Sequence, residues 1–411
     1  MEFLRTNARW LAAGALLTFL SSFGQTFFIS IFAGELSETF DLSHSAWGGA
    51  YSLGTMLSAL AMVWAGSLTD HFRSRALGAA VLGLLSLACL FMALNHIGWL
   101  LPLSIFALRF AGQGMASLIA QVSMSRWFVA TRGKALSVAN LGVSLGQTVL
   151  PLIFVALMGV MDWRWLWVLA AGIALAGIPV LQLLLRQERT PQSHAKEDQS
   201  QGMDGRHWTR LEALRLPLFW AMIPALIAMP AYGTVYFFFQ VHFTEVKGWE
   251  LLDFVALAPV FTVTAVGSML VTGWAVDRFG VARVIPAFLL PASVAFAISA
   301  EIETLWGAAA ALFCLGLTQG ANAVLPNAFW AEFFGTRHLG AIKALGAALM
   351  VLGTAIGPGL TGLFLDLGIG IETQYLGVAV YMILASAAMT WAVLGNAPRL
   401  RPSYEAEPRF R

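Results

Sequence analysis

Apolar and polar positions alternate on the scale of whole helices along this chain. Apolar blocks fall near residues 10–33, 46–68, 76–95, 99–125, 135–160 and 164–185, and again near 217–243, 252–276, 284–300, 304–330, 340–365 and 374–395. A helix rises about 1.5 Å per residue, so roughly 20 apolar residues cross a hydrocarbon core of about 30 Å. Each block is therefore a predicted transmembrane helix, which gives twelve, six on either side of a polar stretch at 186–215. Several blocks carry Pro or Gly inside, as transmembrane helices tolerate when neighbours satisfy the freed backbone groups. The first block is too long for the apolar region of a signal peptide, and no A-x-A site follows it. It is expected to be an uncleaved first span.

Composition supports a polytopic membrane protein. The chain is 58% hydrophobic and 11% charged, with a mean hydropathy of +0.75, whereas a soluble domain carries about 25% charged residues. The net charge of +2 matters less than where the charges lie. Of the 24 Lys and Arg, 21 fall in the termini and in alternate connections on one side. The positive-inside rule then predicts cytoplasmic termini and a multi-pass protein of the bacterial inner membrane. Tryptophans 47, 99, 163, 249 and 306 on one boundary, and 64, 127, 274 and 330 on the other, are expected as interfacial anchors. Cys89 and Cys314 lie inside apolar blocks and are expected to be inert packing residues. The chain has no metal-ligand spacing, phosphate loop or G-x-S-x-G elbow. An enzyme, an ATP-driven pump, a cofactor and a nucleic-acid partner are therefore not expected, and the chain is expected to work as a monomer in the bilayer.

The two halves repeat each other. GSLTDHFRSRALG at 66–78 corresponds to GWAVDRFGVARVI at 273–285, and LGQTVLP at 145–151 to LGTAIGP at 352–358. TRGKA at 131–135 and TRHLGAIK at 336–343 follow corresponding fourth helices. The repeat predicts an all-α fold of two pseudo-symmetric six-helix bundles, 1–185 and 216–397. A flexible cytoplasmic linker at 186–215 joins them, with a short surface helix from His207, and 398–411 forms a cytoplasmic tail.

These motifs resemble the major facilitator superfamily, from about residue 8 to 397. The family loop G-x-L-x-D-R-x-G-R-R/K is matched by Gly66, Leu68, Asp70 and Arg75, with Arg73 where Gly is usual; the second copy keeps Gly273, Asp277, Arg278, Gly280 and Arg283. The fourth-helix pattern R-x-x-x-G is similar to Arg109 through Gly114. The drug-antiporter signature of the fifth helix is incomplete, since Leu150 replaces the Gly before Pro151. RWFVATRGKALSVANLG at 126–142 resembles the monocarboxylate-porter-like branch. The resemblance implies that helices 1, 4, 7 and 10 line a central cavity. It also implies that Asp70, Arg75, Asp277, Arg278 and Arg283 act in the cytoplasmic gate of an alternating-access transporter.

Arg109 is a lone cation at mid-depth of the fourth block, LPLSIFALRFAGQGMASLIAQVSM. Such placement costs roughly 2.5–3.5 kcal/mol on insertion scales, so the side chain is expected in a bundle interior or a hydrated cavity. No acidic residue falls at its depth, and a guanidinium holds a carboxylate in bidentate geometry. The candidate substrate is therefore a small organic anion, a monocarboxylate in particular, with a proton as a candidate co-substrate. Polar residues three or four apart share a helix face. Gln25, Tyr51, Gln113, Asn140, Gln147, Tyr232, Tyr236, Gln319 and Asn322 join Arg109 as candidate binding residues; the plainer reading of each is a hydrogen bond that glues helices. Drug efflux, and a non-transporting sensor with a transporter fold, are the alternatives.

Overall fold

In the computed structural model each of the twelve apolar blocks is helical. The described residues are 2–66, 68–128, 132–187, 201–335 and 339–400, and no strand occurs among them. We label the spans α1 (two arms, Phe3–Gly24 and Thr26–Phe40), α2 (His44–Ala65), α3 (Ser74–Leu94), α4 (Gly98–Met124), α5 (Arg132–Met158) and α6 (Trp163–Leu184). The second half holds α7 (Pro217–Phe238), α8 (Ala258–Phe279), α9 (Val281–Glu301), α10 (Leu305–Phe334), α11 (Leu339–Asp366) and α12 (Ile371–Asn396). Among the described residues ten helices are long and apolar enough to cross a membrane, the bent α1 pair makes eleven, and α2 occupies the remaining block.

Contacts divide the chain into two compact units. The first is Met1–Lys196 with Thr234–Ala258 and Ala355–Gly368; the second is Glu197–Gly233, Pro259–Thr354 and Ile369–Arg411. In the first, α5 lies so close to α1 that a Cβ added at Gly142 would overlap the Ala15 carbonyl and the Thr18 hydroxyl. The Ser86 hydroxyl of α3 donates to the Ala171 carbonyl of α6 at 2.9 Å. In the second, Ser293 of α9 donates to the Ala379 carbonyl of α12 at the same distance. Ser293 stands 207 residues after Ser86, the offset that also relates the repeated loops. The duplication thus extends to side-chain hydrogen bonds.

The segments 234–258 and 355–368 belong to the second half of the sequence yet pack within the first unit. Ser30 donates to the Phe237 carbonyl at 2.7 Å, the Ser52 hydroxyl to the Ala355 carbonyl, and Gln240 Nε2 to the Ser30 hydroxyl at 2.9 Å. The division of α7 falls at the end of a π-helical stretch, Met229–Gly233. Pro230 lies inside that stretch, lacks an amide hydrogen and crowds the preceding turn, and a widened turn relieves this.

Two expectations need correction. In the linker, the short helix expected from His207 is present as Arg210–Leu214, whereas residues 201–206, expected to be flexible, are ordered as well. Thr209 and Glu212 form a capping box at the start of the helix Arg210–Leu214. Trp208 is buried, donating its amide to the Phe334 carbonyl at 2.9 Å and its indole N–H to the Met203 carbonyl at 3.1 Å. Arg399 holds Asp204 through two hydrogen bonds, at 3.1 and 2.6 Å. The tryptophans expected as anchors also divide, with Trp249 half-buried. Trp64, Trp99, Trp274 and Trp306 are exposed, as anchors should be, while Trp47, Trp127, Trp163 and Trp330 are buried in helix contacts. Cys89 and Cys314 are free thiols.

Candidate functional site

The site is built where two helices depart from regular geometry. Residues Arg109–Ala116 of α4, RFAGQGMA, wind as a π-helix, a form rare enough to mark functional positions. Its Gly112 lies against Gly24 of α1, so that a Cβ added at Gly112 would be 2.8 Å from the Gly24 Cα. A Cβ at Gly24 would overlap the Leu108 carbonyl. At this crossing α1 tightens to a 3-10 turn over Ser21–Gly24, Gln25 becomes extended (φ −87°, ψ 154°), and the second arm leaves at 47°. Thr26, the first residue of that arm, then reaches Arg109.

Arg109 Nη1 donates to the Thr26 hydroxyl at 3.2 Å. The Thr26 hydroxyl shares a short hydrogen bond with the Tyr51 hydroxyl of α2. The guanidinium carbon lies 5.2 Å from the Tyr51 ring centroid. Phe238 packs on Tyr51 at 4.5 Å and stacks on Trp47 at 5.0 Å, which extends an aromatic wall from the cation. Arg109 is 1% exposed and its Nε has no hydrogen-bond partner; Trp47 Nε1 also has none. Among the described residues no carboxylate pairs with Arg109. Arg109 thus lies in the bundle interior, one of the two settings expected for it, enclosed by residues of α1, α2 and α4.

The magnitudes show what this arrangement lacks. A cation over an aromatic ring gains about 0.5–2 kcal/mol, and a hydrogen bond to a charged group about 1.5–3 kcal/mol. Enclosing an unpaired charge costs several kcal/mol. One neutral hydroxyl and one ring therefore leave the guanidinium under-compensated, with donors free. An anion with two oxygens is the complement that such a group accepts.

The structure brings Arg109 and Tyr51 together, and Thr26 joins them. Gln113, half-buried, lies on the π-helical stretch, and Gln25 sits at the break of α1, its carbonyl accepting from the Phe28 and Ile29 amides. On α5, Asn140 is exposed and Gln147 half-buried. Tyr236 is buried among the rings of Phe237, Phe243 and Phe254. In the second unit, Tyr232 packs on Tyr381 at 5.2 Å and Gln319 is exposed. Asn322 Oδ1 and Thr318 Oγ1, one turn apart on α10, are buried without partners. Thr18 and Ser21, on the polar stripe of α1, act as glue: Thr18 donates to the Ala139 carbonyl of α5, and Ser21 accepts from Ser117 of α4 at 3.1 Å.

The side chains of Asp70 and Asp277 lie outside the described residues. Arg75 Nε donates to Gln182 Oε1, tying α3 to α6. Arg278 is exposed with its guanidinium 5.8 Å from the Phe279 ring, and Arg283 is exposed in the turn Val281–Val284. The Val281 amide of that turn donates to Glu332 of α10 at 3.1 Å.

Sequence reasoning missed Thr26, Trp47 and Phe238. An unbroken helix over 18–25 places Thr18, Ser21 and Gln25 on one face. The 3-10 turn and the extended Gln25 reset that phase, so Thr26 takes the position facing Arg109. The adjacency of Gly24 and a polar pair inside an apolar block was the available signal.

The sequence matches the profile of the Major Facilitator Superfamily over residues 14–274 and 255–410. The chain belongs to this superfamily. It is 24% identical over 375 residues to a gentisate transporter of Corynebacterium glutamicum, covering 86% of this chain and 81% of that protein. The same fold occurs in a bacterial homologue of the human lysosomal transporter Spinster, in its inward-facing, unoccupied conformation. There the TM-score is 0.72 at 17% identity, over 97% of this chain and 99% of the other. The nucleoside transporter NupG, solved as a D323A mutant, gives a TM-score of 0.69 at 14% identity, over 94% and 99%. The all-helical architecture and superfamily membership expected from the motifs are thereby shown.

Proposed function

We propose that this superfamily transporter moves a small organic anion, a monocarboxylate, across the bacterial inner membrane by alternating access, with both termini in the cytoplasm. The observation that carries the reading is Arg109, a buried cation with one hydroxyl partner, an unpartnered Nε and no paired carboxylate among the described residues. The wall of Tyr51, Phe238 and Trp47 beside it suits the apolar body of such an anion. The relative named a gentisate transporter supports the class, since gentisate is itself a carboxylate. The likeness of residues 126–142 to monocarboxylate porters supports it too. In this reading Arg109, Thr26 and Tyr51 orient the carboxylate. Gln25, Gln113, Asn140, Gln147, Tyr232, Tyr236, Gln319 and Asn322 tune selectivity, and Asp70, Arg75, Asp277, Arg278 and Arg283 serve the gate.

The test is uptake and counterflow of labelled lactate, pyruvate and gentisate in proteoliposomes. Wild-type protein should move at least one of the three, and Arg109→Gln should lose it. Removing a charge-assisted bidentate contact of about 1.5–3 kcal/mol corresponds to a loss of roughly tenfold to a hundredfold. Arg109→Lys should be impaired as well, because an ammonium lacks the fork geometry. Wild-type rates in folded Arg109→Gln protein would sink the reading.

A further inference from the structure

At the end of the first unit away from the amino terminus, two imidazoles meet. His44 opens α2, and its ring centroid lies 4.3 Å from that of His242. His242 sits beyond the α7 span, which ends at Phe238, on the separate helix Gln240–Lys247. The same end of α2 is held by α11. The His44 and Ser45 amides donate to the two carboxylate oxygens of Asp366 at 3.2 and 3.0 Å. Gly362 lies so close that a Cβ there would overlap the His44 carbonyl. His44 therefore joins α2 to both segments that the second half of the chain contributes to this unit.

We propose that His44 and His242 form a proton-sensitive latch, which holds these segments against α2 while the His242 ring is neutral and releases them when it binds a proton. The inference rests on the alternating-access reading, for which release at one end is a necessary step, and it assigns the proton a place to act. Two imidazolium rings at this separation repel, and half-burial deprives them of the water that would screen the repulsion. Histidine is the side chain whose ordinary titration falls in the physiological range.

Burial first, and His44 second, hold His242 down at about 4, from an ordinary 6.5. Once the segments part, the ring regains its ordinary value. The closed arrangement is thus fully favoured above about 6.5, and its advantage is lost as pH falls from there towards 4. Other ionisable groups lie on the elements packed around the pair. Glu245, 4.0 Å from His242 Nδ1 but largely exposed, and Lys247 share its helix. Glu35 and Glu38 lie on the second arm of α1, Asp253 on the helix Leu251–Val255, Asp41 precedes α2, and Asp366 ends α11. Carboxylates near the rings favour the charged imidazole, so the depression of His242 persists despite them.

The test uses full-length protein in lipid nanodiscs with spin labels on Leu53→Cys of α2 and Val246→Cys, both exposed, in a Cys89→Ala, Cys314→Ser background. Pulsed electron-spin distance measurement at pH 7.5 should give a single short distance. At pH 5.0 a longer distance should appear, its ratio to the short one rising roughly thirtyfold, as release of one proton-binding constraint requires. His44→Gln with His242→Gln should remove this response, and His44→Asn alone should weaken it by removing the repulsion. A wild-type distribution that ignores pH would overturn the latch. A double variant that responds like wild type would also overturn it, since the carboxylates would then be the sensors. No substrate enters this measurement, so its failure leaves the anion reading intact, and a failed uptake assay leaves the latch standing.

Discussion

Arg109 and its neighbours illustrate how one residue can be legible while its setting is not. A lone cation in an apolar block has few physical reasons to exist, which is why the sequence alone singles it out. Thr26 and Phe238 carry no such mark; they matter because a broken helix and a distant segment deliver them to Arg109 and Tyr51. Tyr51→Phe keeps the ring under the guanidinium and removes the hydroxyl bonded to Thr26. A neutral hydrogen bond contributes about 1 kcal/mol, so stability should fall by about that much, and anion KM should rise as Thr26 loses its anchor. Thr26→Val removes the partner of Arg109 itself. It should lower stability by about 1–3 kcal/mol, the cost of stranding a buried polar group. Thermal melts of the two purified variants check this ordering; a Thr26→Val protein as stable as wild type would show that the hydroxyl does not support the cation.

At the level of helices, the crossing of α1 and α4 sets the geometry of the site. Gly24 and Gly112 let the two backbones touch, and the break at Gln25 falls at that contact. Gly24→Ala should therefore destabilise by about 1–3 kcal/mol or more, as overpacking does, and should weaken anion binding by moving Thr26. Gly49→Ala is the control. A Cβ there meets nothing within 4 Å, and Ala is the better helix former by about 1 kcal/mol. Its melting temperature should equal or exceed wild type. If both alanines behave alike, the close approach does not hold the break in place.

On the scale of the whole molecule, the ordered end of the linker is tied to the end of α12. Asp204 grips Arg399, and the guanidiniums of Arg206 and Arg399 lie 3.8 and 5.6 Å from the ring centroid of Trp208. The hydrogen bond from Arg399 holds the Asp204 carboxylate below its ordinary range. The tie is complete above that range and is lost only as pH falls through the lowered value. Asp204→Asn should speed tryptic cleavage after Arg206 and Arg210 at neutral pH; unchanged digestion would show that Trp208 alone anchors the segment. A polar composition suggested a flexible connection up to His207, because composition does not register the long-range contacts of a single buried tryptophan and of the Asp204–Arg399 pair. By itself the sequence determined the twelve apolar blocks, the twofold repeat and the isolated cation, since hydrophobic length, internal similarity and the cost of a buried charge are all local properties. Tertiary structure alone decided that Thr26 rather than Gln25 meets Arg109, that His44 meets His242, and that 234–258 and 355–368 pack with the first half. Those outcomes depend on where helices break and which backbones touch, and a periodicity read along the chain carries no phase across a break.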